Sequence, residues 1–221
     1  FGNNEFLMSC ACSAGPAFEG GDISCGMRAT DGAIEACAID KETLEPTLTV
    51  VGGAEPVGIC GSGIIDIIAE LFRCGAINGK GRFIREHRRI VRDHNDMAAY
   101  VLAFKEDTGG VKDVVINEVD IDNFIRAKGA IFSATTTMLT SLGFTVEDIQ
   151  RVFVAGGIGS GINMKNAVTI GMFPDISLDH FHYIGNSSQT GAYAMLLSGD
   201  ARAKVEEIGR SMTYLELSNE P

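Results

Sequence analysis

Val152-Phe153-Val154-Ala155-Gly156-Gly157-Ile158-Gly159-Ser160-Gly161 is the stretch on which the fold turns. Its apolar run, Arg151 to Ala155, reads as a buried strand, and a short helix is expected over Asn163 to Ile170. A strand that runs into paired glycines and then a helix sets bare backbone N–H groups beside any ligand. Phosphate and ribose favour such a place, and the helix dipole adds to it. A tight strand-to-helix turn with no ligand accounts for the same residues. Gly157-x-Gly159-x-Gly161 also imitates a dinucleotide fingerprint, but its spacing departs from G-x-G-x-x-G. Only 60 residues follow Gly161, too few for most of a doubly wound sheet.

Upstream, Phe6 to Ala14 is strand-like and ends in the glycine-rich turn Gly15-Pro16-Ala17-Phe18-Glu19-Gly20-Gly21. Ile34 to Ile39 and Thr47 to Val51 alternate as strands. Gly61-Ser62-Gly63 opens a helix with Ile64, Ile65, Ile67, Ile68, Leu71 and Phe72 at helical spacing, closed at Gly75. Residues 78–98 read as loop, and Tyr100 to Phe104 and Val114 to Ile116 as strands. Asp120 reads as the N-cap of a long helix whose apolar stripe includes Ile121, Phe124, Ile125, Ile131 and Leu139, ending at Gly143. Downstream, Tyr183-Ile184 is a short strand ahead of Gly185-Asn186-Ser187-Ser188. Thr190 to Leu197 is a helix with small residues at Gly191, Ala192 and Ala194, and Thr213 to Leu217 is a last strand. This order specifies an α/β layer fold. It predicts one sheet holding the strands near 6–14, 34–39, 47–51, 114–116 and 152–155.

Composition narrows the function. Hydrophobic residues at 45% and a mean hydropathy of +0.14 support a packed core rather than disorder. A net charge of −11 argues against general nucleic-acid binding, which depends on neutralising phosphates. No apolar run reaches the ~18 residues of a membrane span. Cys10, Cys12, Cys25, Cys37, Cys60 and Cys74 have no zinc-like spacing and read as reduced, mostly buried thiols of a cytoplasmic protein. Gly2-Asn3-Asn4 reads as a hairpin turn whose first strand is largely missing, so both ends look cut.

Three other features carry two readings each. Cys60-Gly61-Ser62-Gly63 could hold a nucleophile at a helix start, but no histidine partner motif accompanies it; a packed glycine-rich helix start is the alternative. Lys128 lies on the apolar stripe between Ile125 and Ile131, so it must reach solvent or meet an anion. Lys80, Arg82, Arg85, Arg88, Arg89 and Arg92 form either a solvated loop or a docking surface for an acidic partner.

Read together, Cys12-Ser13-Ala14-Gly15-Pro16-Ala17-Phe18-Glu19-Gly20, Gly26-Met27-Arg28-Ala29 and Gly58-Ile59-Cys60-Gly61-Ser62-Gly63-Ile64-Ile65-Asp66 resemble the reductive activators of corrinoid proteins. Ala127-Lys128-Gly129-Ala130-Ile131, Phe153-Val154-Ala155-Gly156-Gly157 and Gly185-Asn186-Ser187 continue the likeness nearly end to end. That family lies in the acetate and sugar kinase, heat-shock protein and actin superfamily. The resemblance therefore implies an actin-like (ribonuclease H-like) ATPase fold, with residues 1–221 as its second, C-terminal subdomain. It implies ATP at Gly15, Pro16, Glu19, Gly20, Lys128, Gly156, Gly157, Gly159, Gly185, Asn186 and Ser187, with Mg²⁺ organised in the parent protein by acidic residues expected outside this chain. The first phosphate loop and the iron–sulfur domain of the family are expected outside this chain, which alone would be a weak or dead ATPase. The implied partner is a corrinoid protein of a methyltransferase system, reduced from Co(II) to Co(I); a homodimer is left open. A sugar- or acyl-kinase-like phosphotransferase and a non-catalytic docking module are the competing readings.

Overall fold

The computed structural model describes residues 1–12, 15–156 and 161–217. The elements run β1 (Leu7–Ser9), β2 (Ala33–Ile39), β3 (Pro46–Val50), β4 (Gly58–Ile59), α1 (Gly61–Arg73), β5 (Ile90–Arg92), β6 (Ala98–Ala103), α2 (Lys105–Thr108) and β7 (Val114–Asn117). They continue with α3 (Glu118–Ser141), β8 (Val152–Val154), α4 (Met164–Thr169), β9 (Phe181–Tyr183), α5 (Ser187–Leu197), α6 (Gly199–Ser211) and β10 (Met212–Tyr214). The chain divides into two compact units. The first takes Phe1–Ser13, Ala130–Ser160 and Pro174–Pro221; the second takes Ala14–Gly129 and Gly161–Phe173.

The second unit holds a dense core. The three-stranded sheet β3-β2-β4 pairs β2 antiparallel to β3 and parallel to β4. Helix α1 packs on β2, and Ile64, Ile65, Ile67 and Leu71 are fully buried. Apolar residues occupy nearly every side of its first turns, as a helix sunk in a core requires. Its glycines allow the approach: a Cβ on Gly63 would lie 2.1 Å from the Ile34 carbonyl oxygen, so no larger residue fits. The antiparallel sheet β5-β6-β7 completes the unit.

The long helix begins three residues earlier than its sequence suggests. Asn117, not Asp120, is the cap: its Oδ1 accepts from the N–H groups of Val119 and Asp120, both at 2.9 Å. Asp120 Oδ2 accepts in return from the Asn117 N–H at 3.0 Å, closing a reciprocal capping box. Its Oδ1 takes the Ser24 N–H at 2.7 Å, so the buried carboxylate is fully engaged. The helix crosses the division between units after Gly129.

The first unit has two parallel two-stranded pairings, β1 with β10 and β8 with β9. Phe1 and Gly2 turn back on β1. The Met8 N–H donates to the Phe1 carbonyl at 2.7 Å, and Gly2 bridges Leu7 antiparallel, as the hairpin reading predicts.

The expectation of one sheet is overturned. Strands 34–39 and 47–51 share a sheet, but 114–116 lies in another, 152–155 pairs with β9, and the strand at 6–14 shortens to Leu7–Ser9 beside β10. Both edges of β2 are taken by β3 and β4, which leaves none for β8. Strand β8 is not buried either: Phe153 is 58% exposed. Further elements were not foreseen: the short β4 and α2, β5 and α6. The basic loop contains β5, and α6 follows Ser198, whose Oγ accepts the Ala201 N–H at 3.2 Å.

Candidate functional site

In the first unit, the carboxyl ends of β8 and β9 converge. Their parallel register puts Val154 opposite Tyr183, and the Ile184 N–H donates to the Val154 carbonyl at 3.0 Å. One step further, the Gly156 N–H donates to the Gly185 carbonyl at 3.0 Å. Two glycine turns 29 residues apart in sequence thus become hydrogen-bonded neighbours at the mouth of a parallel pair. Ligands of open α/β sheets bind outside that end of the strands. The Tyr183 hydroxyl donates to the Gly156 carbonyl at 2.9 Å and fixes the turn from the other side.

Gly156 sits at φ 108°, a conformation that side chains resist, and among the described residues nothing lies within 4 Å of where its Cβ would stand. The same is true of Gly185. Space is therefore open above both backbones. Asn186 then caps α5, its Oδ1 accepting from the Gln189 N–H at 3.2 Å, while the Ser187 N–H donates to Gly185 at 3.0 Å. The N-terminus of an 11-residue helix, with its positive dipole end, thus begins where the two turns meet. Gly157 and Gly159 lie outside the described residues.

The remaining residues singled out by sequence lie in the second unit. Pro16–Glu19 form a single 3₁₀ turn between Gly15 and Gly20. Phe18 anchors it edge-on against Phe124, ring centroids 5.2 Å apart, and Glu19 is exposed. Gly20 meets its own chain: a Cβ there would be 2.6 Å from the Met27 nitrogen. Lys128 lines a cavity of about 170 Å³ whose walls are mostly apolar, Ile68, Phe72, Ile121, Phe124 and Ile125 among them. Its ammonium stands 3.3 Å from the position of a Gly171 Cβ, just past the C-terminus of α4. No carboxylate among the described residues forms an ion pair with it.

The basic run is consumed internally. Arg88 and Arg89 clamp Glu45 at 2.7 and 2.6 Å, and their bonds, Arg89 first, hold its carboxyl down at about 2. Arg89 also donates to the Val101 carbonyl at 3.0 Å and stacks on Phe104. Arg85 binds the Lys41 and Cys74 carbonyls, Arg82 pairs with Glu118, and Arg92 with Asp96. These contacts give the docking surface expected at Arg88 and Arg89 no support: Arg89 links Glu45, just before β3, to β6, and Arg88 pairs with the same Glu45. Cys60 is a packed residue: buried, with Sγ 3.4 Å from the Ile34 carbonyl and from Ser62 Oγ.

Sequence reading missed one cluster. Asp66 on α1 accepts from Asn166 Nδ2 on α4 at 2.6 Å, and Arg73 Nη2 donates to Asn166 Oδ1. Burial pushes the Asp66 carboxyl up, partly offset by the Asn166 bond. Burial likewise raises the neighbouring Cys37 thiol to about 12. No local pattern marks a single asparagine in a six-residue helix. Among the described residues no three His, Cys, Asp or Glu side chains converge as a metal site. The described residues thus offer no such cluster of side chains to Mg²⁺ or to an iron–sulfur centre. No helix among them is long and apolar enough to cross a membrane.

Residues 1–221 match the family model described as the C-terminal domain of RACo, the ASKHA domain. A corrinoid activation enzyme, RamQ of Eubacterium limosum, is 34% identical over 98% of this chain and 37% of its own length. The [Co(II) methylated amine-specific corrinoid protein] reductase of Methanosarcina barkeri is 24% identical over 94% of this chain and 38% of its own. A solved reductive activator for corrinoid, iron-sulfur protein superposes with a TM-score of 0.91 at 50% identity, covering 99% of this chain and 35% of its own. The chain thus spans little more than a third of the length of these relatives.

Proposed function

The chain belongs to the family of C-terminal ASKHA domains of RACo, with the actin-like fold that this entails, and from that membership we propose that it forms the nucleotide-binding second subdomain of an ATP-dependent activator of corrinoid proteins. The observation that carries the nucleotide reading is the apposition of Gly156 and Gly185. Two bare backbones, with open space above them and a helix N-terminus alongside, suit the ribose and phosphates of ATP. Asn186 holds the α5 N-terminus in place, and Tyr183 holds the Gly156 peptide. Lys128, which pairs with no carboxylate among the described residues, would supply an ammonium to an anionic or polar ligand group. Gly15, Pro16, Glu19 and Gly20, in and around one 3₁₀ turn, would add contacts from the phosphate side of the nucleotide.

When bound, ATP supplies the free energy for a conformational cycle. Its relatives, a corrinoid activation enzyme and a Co(II) corrinoid protein reductase, support its purpose, the reductive activation of a corrinoid protein; the product would be Co(I), with the electron drawn from an iron–sulfur cluster in another domain. Mg²⁺ would be held by residues beyond this chain, and the whole protein would work in the cytoplasm. Exposed Tyr193, Leu196 and Leu197 on α5 leave a homodimer open, to be decided by light scattering.

The test is calorimetric titration of the full-length protein with ATP and ADP, followed by ATP turnover with and without a Co(II) corrinoid protein. Turnover that rises with the corrinoid protein supports the activator. Turnover that rises instead with a sugar or carboxylate acceptor, with ADP and a phosphorylated product, replaces it with the phosphotransferase. No binding of any adenine nucleotide leaves a docking module.

A further inference from the structure

Both backbone polar groups of Gly156 are met from the β9 side. Its N–H donates to the Gly185 carbonyl at 3.0 Å, and its carbonyl accepts from the Tyr183 hydroxyl at 2.9 Å. The first bond is backbone to backbone and follows on from the Ile184–Val154 bond of the strand pair. The second depends on a single side chain.

The reach of that side chain follows from register. Tyr183 stands opposite Val154, two residues short of Gly156. Two residues of extended chain advance about 6.6 Å, which a tyrosine lying along the strand can span and a shorter side chain cannot. Successive side chains of a strand alternate between faces, so Phe153 and His182 stack on the other side, ring centroids 5.7 Å apart. Gly156 itself is at φ 108°, and glycine holds such a conformation only where its surroundings fix it. Tyr183 is 45% exposed, so its hydroxyl adds little to packing. What it decides is the direction of the Gly156 carbonyl.

The same two bonds define what Gly156 offers a ligand. Its N–H is spent, so it has no donor left for a phosphate. Its Cα is uncovered among the described residues, and the carbonyl oxygen keeps a second lone pair. A ribose hydroxyl or a base amino group can donate to that lone pair, so the nucleoside half of a nucleotide suits this peptide better than the phosphates do. We infer that Tyr183 is a positioning residue for the nucleotide: its hydroxyl, bonded to the Gly156 carbonyl, holds that peptide in the orientation that receives the nucleoside half. The inference rests on the nucleotide reading of the Gly156–Gly185 apposition and deepens it.

Tyr183→Phe removes the hydroxyl and keeps the ring. The full-length protein is titrated calorimetrically with ADP and ATP, and with AMP in competition. Each affinity should fall about fivefold, by the same factor whatever the number of phosphates. Turnover at saturating ATP should match wild type, because a contact made equally in the bound and transition states changes affinity alone. Melting temperature should stay within about 2 °C of wild type. Unchanged affinities, whether or not the melting temperature falls, would reduce the hydroxyl to structural support and overturn the inference. A loss that grows from AMP to ATP would overturn it too, by placing the Gly156 peptide at the phosphates. Wild type that binds no adenine nucleotide would overturn the nucleotide reading itself, a failure seen before any variant is made.

Discussion

The two units use glycine for opposite purposes. In the second, Gly61 and Gly63 at the start of α1 lie against the Phe18 and Ile34 carbonyls, and Gly20 lies against Met27; the protein's own backbone fills the place of each missing side chain. In the first, the space above Gly156 and Gly185 is open. Burial follows the same division. Ile64, Ile65, Ile67 and Leu71 of α1 are fully buried, whereas α5 buries no residue and Leu196 is 77% exposed. Two parallel two-stranded pairings are marginal without further strands or a covering layer. One unit carries its own core; the other presents a surface. Glycine content alone would have rated both as equally ligand-like.

The sharpest way to break this contrast is to fill a glycine on each side. Gly63→Val should cost at least about 3 kcal/mol of stability, because its side chain has nowhere to go against the Ile34 carbonyl. Denaturant unfolding checks it, and a near-native midpoint would contradict the close approach. Gly156→Val should behave the other way round. Its φ of 108° costs about 1–3 kcal/mol in strain, but the side chain enters open space and the protein should stay folded. ATP affinity should fall by about 100-fold or more, about 2.8 kcal/mol, by calorimetry. A folded variant with wild-type affinity would remove Gly156 from the site.

Smaller effects sharpen the comparison inside the second unit. Lys128→Ala should weaken ATP binding by about 1–3 kcal/mol if its ammonium meets the nucleotide. If the ammonium only complements the C-terminus of α4, melting should shift by about 0.3–1 kcal/mol while ATP affinity stays fixed. Titration and melting of one variant separate the two.

The smallest change concerns Glu45. Its folded-state pKa, about 2, lies below its ordinary value of 4.5, so its stabilising effect is present above about pH 4.5 and is lost as pH falls towards 2. Glu45 is more than a third exposed, so solvent screening limits the effect to about 1 kcal/mol. Glu45→Gln should flatten the stability profile across that acid window. An unchanged slope would mean the Arg88–Glu45–Arg89 clamp contributes nothing.

Local chemistry was legible in the sequence wherever a pattern repeats within a few residues. The stripe of α1, the long helix to Ser141, the glycine run after β8 and the Gly185-Asn186-Ser187 turn could all be read directly, and combined they pointed to the family. Helical spacing and turn residues are local signals, because the bonds they make are local. The pairing of strands is not. Which edge β8 meets depends on β2 being already flanked by β3 and β4, and no residue of Val152–Val154 records that. Nor does the sequence of the basic run record that Glu45, some forty residues earlier, would pair with both Arg88 and Arg89, or that Asn166 would find Asp66 a hundred residues away. Charge and hydrogen-bonding capacity belong to a residue, whereas the partner that satisfies them is chosen by packing. The sequence therefore determined the elements, the glycine turns and the kinship. Only the tertiary structure decided which glycines were filled, which charges were consumed, and which two turns met.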